Sequence, residues 1–209
     1  MMWSWMKASP WTFAVGGLIA VLAVGGVIYA LATHKRRMAA RDKGLMIRDG
    51  HRLRWKREDL PLGVWFHPGL ADELLEAWKG ATALFEQAVG RPLFMIPLMA
   101  PNDLDLDKPP RGNVVLKTTD PQGDMSSDHG RTEHRYDKRD GYLISAIVSL
   151  PWVPRTGLHR HVAVHEIGHV LGLDHDDVTS SIMFPTLSLR RTPGTLSDLD
   201  AQRLKDIYG

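Results

Sequence analysis

The chain of 209 residues has no cysteine. Disulfides, thiolate metal sites and a cysteine nucleophile are therefore excluded, while the compartment stays open because many secreted proteins also lack disulfides. Charge is missing in two places. Residues 11–32, "WTFAVGGLIAVLAVGGVIYALA", carry none, and residues 33–57 carry only Asp42 and Asp49 against ten Lys or Arg, from Lys35 to Arg57. Internal repeats and low-complexity segments are absent as well. What remains is 44% hydrophobic and 24% charged, the balance of a folded globular protein with room for one ordinary domain and an additional segment.

The net charge of +2 conceals an asymmetry. From residue 58 onward there are 15 basic and 22 acidic residues, so the main domain is acidic and the basic character belongs to a short stretch. This balance argues against nucleic acid as a partner.

The uncharged run is long enough to cross a hydrocarbon core, since 22 helical residues rise roughly 33 Å. Trp3, Trp5 and Trp11 stand near one end and Tyr29 near the other, where interfacial aromatics belong. The competing reading is a cleaved signal peptide, because Ala30-Leu31-Ala32 fits a small-x-small cleavage site. The length of the run and the cationic cluster directly after it favour a retained single-pass anchor that also touches lipid headgroups. Lys7 before the span, against Lys35, Arg36, Arg37, Arg41 and Lys43 after it, points the rest of the chain to the cytoplasm. The expected layout is a flank at 1–10, an anchor at 11–32, a basic connector at 33–59 and a catalytic domain at 60–209.

Within that domain, "LGVWFHP" (62–68), "LFMIPL" (93–98), "NVVLKTT" (113–119) and "GYLISAIVSLP" (141–151) read as strands. Between the first two, Leu74, Leu75, Trp78, Ala81, Leu84, Phe85 and Ala88 recur at intervals of three and four. Asp72 and Glu73 open this segment and Gly90 follows it, so it is an amphipathic helix with conventional ends. A second helix is predicted from about Leu158 to Leu171, ended by Gly172. The fold class is α/β, with one mixed sheet, a long packing helix and an active-site helix.

The second helix contains "HEIGHVLGLDH", residues 165–175. His165 and His169 are four apart and project from one helix face, close enough to hold one ion. Glu166 is turned aside, able to reach water at the metal without ligating it. Gly172 allows a sharp reversal that returns His175 as a third imidazole. Three neutral imidazoles leave a tetrahedral Zn²⁺ one open position, the arrangement of catalytic zinc. HExxH alone arises by chance on surface helices, but five specified positions over eleven residues do not readily do so. His159 and His161 read as solvated residues at the helix start.

This stretch resembles the zinc signature of the metzincin endopeptidases, and "SIMFP" (181–185) is similar to their Met-turn. "LSDLDAQRLKDIYG" (196–209) is similar to the final helix of the matrixin branch. The resemblance implies a twisted sheet, a C-terminal helix, Zn²⁺ on His165, His169 and His175, and protein or peptide substrates. It makes Glu166 the general base, with Gly172, Met183 and Pro185 supporting the site. It also implies that "SAIVSL" (145–150) is the edge strand against which substrate pairs, that loop 184–196 shapes the specificity pocket, and that the domain faces the extracytoplasmic side, against the charge bias.

Pro185 stands where other branches carry a zinc-ligating tyrosine, so no such switch is expected. A cysteine-switch propeptide is impossible. Asp176 after the third histidine is similar to the adamalysin-like branch, which leaves the subfamily open. The segment 120–141 does not align with the family's usual structural-zinc and calcium loop, although its Asp, His and Glu residues could take Ca²⁺. No pattern fixes an oligomeric state. The alternative to an enzyme is a catalytically inactive, membrane-tethered zinc-binding scaffold, which would have no use for Glu166.

Overall fold

The computed structural model describes residue 32 and residues 42–118, 130–151, 158–186 and 194–209. The chain divides into two compact units, Met1–Lys43 and Gly44–Gly209. The flank at 1–10 and the expected anchor at 11–32, apart from Ala32, lie outside the described residues. Among the described residues no helix is long and apolar enough to cross a membrane.

The second unit begins at Gly44, sixteen residues before the expected start at 60. Leu45, Met46, Leu53 and Trp55, expected in a charged connector, are all buried in the core. They flank a hairpin of β1 (Ile47–Arg48) and β2 (His51–Arg52), whose turn residues Asp49 and Gly50 have φ of 52° and 80°. Two successive positive φ values are what a two-residue hairpin turn of the primed kind demands. The basic residues lie between the buried ones, so overall charge hid the apolar pattern.

A short 3₁₀ turn (Arg57–Asp59) leads to β3 (Gly63–Phe66) and then to α1 (Asp72–Val89). Helix α1 buries Leu74, Trp78, Ala81 and Phe85, spaced four, three and four apart, and ends at Gly90 in the left-handed conformation. The stretch 93–98, read as a strand, pairs regularly only at β4 (Leu98–Met99), with an isolated bridge from Phe94 to Leu62. Met95 and Ile96 are exposed.

Strands β5 (Asn113–Thr118), β6 (Arg131–Tyr136) and β7 (Leu143–Leu150) complete a five-stranded sheet in the order β4-β3-β5-β7-β6. All pairings are parallel except β6–β7, so the sheet is mixed, as expected. Two expectations are corrected here. Residues 145–150 belong to β7, which pairs β5 on one side and β6 on the other, and is therefore interior. Its nearly unbroken burial is that of a strand covered on both faces. The edge is β6, within the segment 120–141, which is not among the expected strands. Thr132, His134 and Tyr136 are half-buried there while Arg131, Glu133 and Arg135 are exposed. The strand has the two-residue period, but its inward residues are polar and give no hydrophobic alternation.

Helix α2 (Leu158–Val170) packs on α1, β6 and β7, and α3 (Asp198–Tyr208) packs on α1. Ser197 and Asp200 form a reciprocal capping box at the start of α3.

Candidate metal centre

Helix α2 ends at Gly172, whose φ is 87°. The N–H of Gly172 donates to His169 O and that of Leu173 to Gly168 O, closing a Schellman turn. A Cβ on Gly172 would stand 2.2 Å from Leu53 O, so the N-terminal segment crosses here at a distance only glycine permits. That segment is tied to the turn: Met46 N–H donates to Gly172 O at 2.8 Å, and the Trp55 indole N–H donates to Val170 O at 2.7 Å.

The turn brings back His175. One ring nitrogen from each of His165, His169 and His175 lies within 4.8 Å of the others, and this is the one such group of candidate ligands among the described residues. Nδ1–H of His165 donates to Ile182 O at 2.7 Å, and Nδ1–H of His169 donates to Leu173 O at 2.9 Å. With the proton fixed on Nδ1, each Nε2 carries the lone pair that a metal ion needs. Burial pushes the His169 imidazole down to about 4, so it is neutral at pH 7. The Nε2 atoms of His165 and His175 are 3.3 Å apart. Two nitrogens held tetrahedrally at the usual Zn–N distance stand about 3.4 Å apart, so the donor set fits Zn²⁺.

Met183 is fully buried beneath the pair on α2. A Cβ on Gly168 would come 2.4 Å from its sulfur, so this glycine lets the methionine approach the helix between the two histidines. The turn carrying Met183 is held by Asp200, which accepts from Ser181 Oγ at 2.7 Å and Ile182 N at 2.9 Å. Asp176, next to His175, receives the Arg203 guanidinium at 2.5 Å and donates its N–H to Met183 O. Pro185 lies on the cleft wall.

The cleft has a volume of about 660 Å³, and Met46, Arg48, Thr132, Asp174 and Thr186 line it beside the three histidines and Glu166. Glu166 is 2% exposed, and the Thr132 hydroxyl donates to its Oε2 at 2.6 Å. Nε2–H of His134 donates to His169 O at 2.9 Å, and burial lowers this imidazole to about 4. Thr132 and His134 were missed in the sequence, where only the polar i, i+2 alternation of 131–136 could have revealed them. His159 and His161, read as solvated, are half-buried and stand outside the triad; His161 lies against Gly194. Much of the candidate calcium segment, 119–129, lies outside the described residues.

Parts of the chain are similar to known proteins. Residues 113–209 match the matrixin family, peptidase M10. Metalloendoproteinase 2-MMP of Arabidopsis thaliana is 46% identical over 48 residues, which is 23% of this chain and 13% of that protein. Human matrix metalloproteinase-26 is 52% identical over 50 residues, 23% of this chain and 19% of that one. The matched segments thus span less than a fifth of these two relatives. The solved metalloproteinase II of Bacteroides fragilis superposes with a TM-score of 0.47 at 18% identity, over 79% of this chain and 57% of that one.

Proposed function

We propose that this chain, matrixin-like over residues 113–209, is a membrane-anchored zinc-dependent endopeptidase. His165, His169 and His175 hold the ion and Glu166 is the general base. The observation that carries this reading is the convergence of three imidazoles beside a buried carboxylate, in a cleft bordered by a sheet edge. Zinc held there supplies Lewis acidity, which makes water nucleophilic at neutral pH and polarises a carbonyl.

The chain's own residues do the rest. The outer backbone edge of β6, which pairs with no further strand among the described residues, is one to which an extended peptide can add. Glu166 accepts a proton as water adds to the scissile carbonyl, then delivers it to the amine as the C–N bond breaks. The Nδ1–H bonds to Ile182 O and Leu173 O keep His165 and His169 oriented throughout. The partners on this reading are a protein or peptide substrate, and membrane lipid through residues 11–32 and the basic residues after them.

The deciding experiment compares cleavage of an unstructured protein by the zinc-loaded wild type and Glu166→Gln. General acid–base catalysis contributes about 10²–10⁴-fold, so the variant should lose at least that much while keeping its zinc. Equal rates, or no cleavage by the wild type across a broad peptide library, would leave the zinc-binding scaffold in its place.

A further inference from the structure

The position of Glu166 on α2 does not by itself fix its carboxylate, because a glutamate side chain has three rotatable bonds and a wide terminal torsion. Gly130 and the strand that follows it, β6, run beside this side chain, and Gly130 and Thr132 differ in what they present to Glu166. Thr132 donates its hydroxyl to Oε2 at 2.6 Å and also lies 3.4 Å from the Glu166 carbonyl oxygen. Gly130 presents no side chain, and a Cβ there would stand 2.6 Å from Cγ and 2.7 Å from Oε1 of Glu166. Oε2 is therefore held by the Thr132 hydroxyl, and the carboxylate packs closely against the Gly130 backbone on the cleft wall.

We infer that Thr132 is a positioning residue for Glu166: its hydroxyl, donating to Oε2, fixes the orientation of the carboxylate in the cleft. This rests on the endopeptidase reading above. The threonine has one proton to give and gives it to Oε2, which restrains the terminal torsion of the glutamate. A hydrogen bond to a charged acceptor is stronger than a neutral one, and the O–H···O⁻ separation is that of a charge-assisted bond. Thr132 touches neither peptide nor metal in this role. It acts only through Glu166, and it lies on the strand along which the peptide would run, so one element sets both the substrate backbone and the base.

The test uses the full chain loaded with zinc, with Thr132→Val, which keeps the shape and removes the hydroxyl, and Thr132→Ser, which restores it. Misplacing a catalytic group by a fraction of an ångström to an ångström costs up to about 10²-fold, so Thr132→Val should lower kcat roughly ten- to hundredfold with KM and zinc content unchanged. Thr132→Ser should recover most of the loss. A kcat equal to wild type in Thr132→Val, or no recovery in Thr132→Ser, overturns the inference while leaving the endopeptidase reading intact. A wild type that cuts no peptide overturns both.

A readout free of turnover is the denaturant midpoint of the metal-free full chain in a double-mutant cycle with Glu166→Ala. Thr132→Val should shift the midpoint clearly when Glu166 is present and little when it is absent. Equal shifts in the two backgrounds would mean that Thr132 does not act on Glu166, and the inference falls.

Discussion

The phenol of Tyr208, one residue from the end of the chain, donates to Leu171 O at 2.9 Å and receives the backbone N–H of Trp55 at 3.4 Å. One buried hydroxyl thus joins α3, the turn after α2 and the N-terminal segment. Tyr208→Phe leaves a buried carbonyl and a buried N–H without partners, and should cost about 1–3 kcal/mol in urea unfolding at pH 8. The loss should depend on pH. Burial holds this phenol above its ordinary value, so the folded state favours the protonated form. That contribution is complete below about pH 10, where the unfolded tyrosine also keeps its proton, and fades as pH rises toward the raised folded value. The gap between wild type and Tyr208→Phe should therefore narrow between pH 8 and pH 11; a gap that widens would contradict the burial of the hydroxyl.

Gly172→Ala should destabilise the domain by at least about 2 kcal/mol. An alanine pays about 1–2 kcal/mol for the left-handed conformation, and its Cβ also meets Leu53 O. The strain falls between His169 and His175, so zinc affinity measured by competition with a chelator should drop along with the unfolding midpoint.

Zinc should be held at one equivalent and lost in His165→Ala or His175→Ala, as metal analysis after gentle purification can read. Chelation should lower the stability of the wild type by about 4 kcal/mol relative to free zinc at a thousand times Kd. It should have little effect on the stability of either alanine variant.

Asp200 is fully buried, accepts from Ser181, Ile182 and Ser197, and stands 3.9 Å from the Arg203 guanidinium. Removing one member of a buried ionic group costs about 3–5 kcal/mol, and Asp200→Ala should fall in that range by thermal or chemical unfolding. Asp200→Asn keeps one acceptor oxygen and should lose less. If both variants unfold like the wild type, the turn carrying Met183 is held by other contacts.

The full chain should stay with membranes through an alkaline carbonate wash and keep its N-terminus, as expected for a retained span at 11–32. Recovery of a soluble species beginning at Thr33 would establish a cleaved leader instead. Protease accessibility in sealed vesicles would then assign the side that the domain faces.

The sequence by itself determined what depends on neighbours a few residues apart. The spacing of Leu74, Trp78, Ala81 and Phe85, with Gly90 after them, specified α1, because helical periodicity is a local property. The run from His165 to His175 specified the convergence of three imidazoles for the same reason, since one helical turn and one glycine reversal bring all three together. Tertiary structure decided the rest. Which strand lies at the edge depends on pairings between distant segments, and a run such as 145–150 looks alike whether one neighbour or two will cover it. Strand β6 acquires its partners only once β7 and α2 are in place; until then Thr132 and His134 are two polar residues in a charged stretch. Residues 44–56 show the converse, with Leu45, Met46, Leu53 and Trp55 buried among arginines of which Arg48 is exposed and Arg52 and Arg54 are half-buried. Net charge describes a segment as a whole, but burial is settled one side chain at a time by what packs against it.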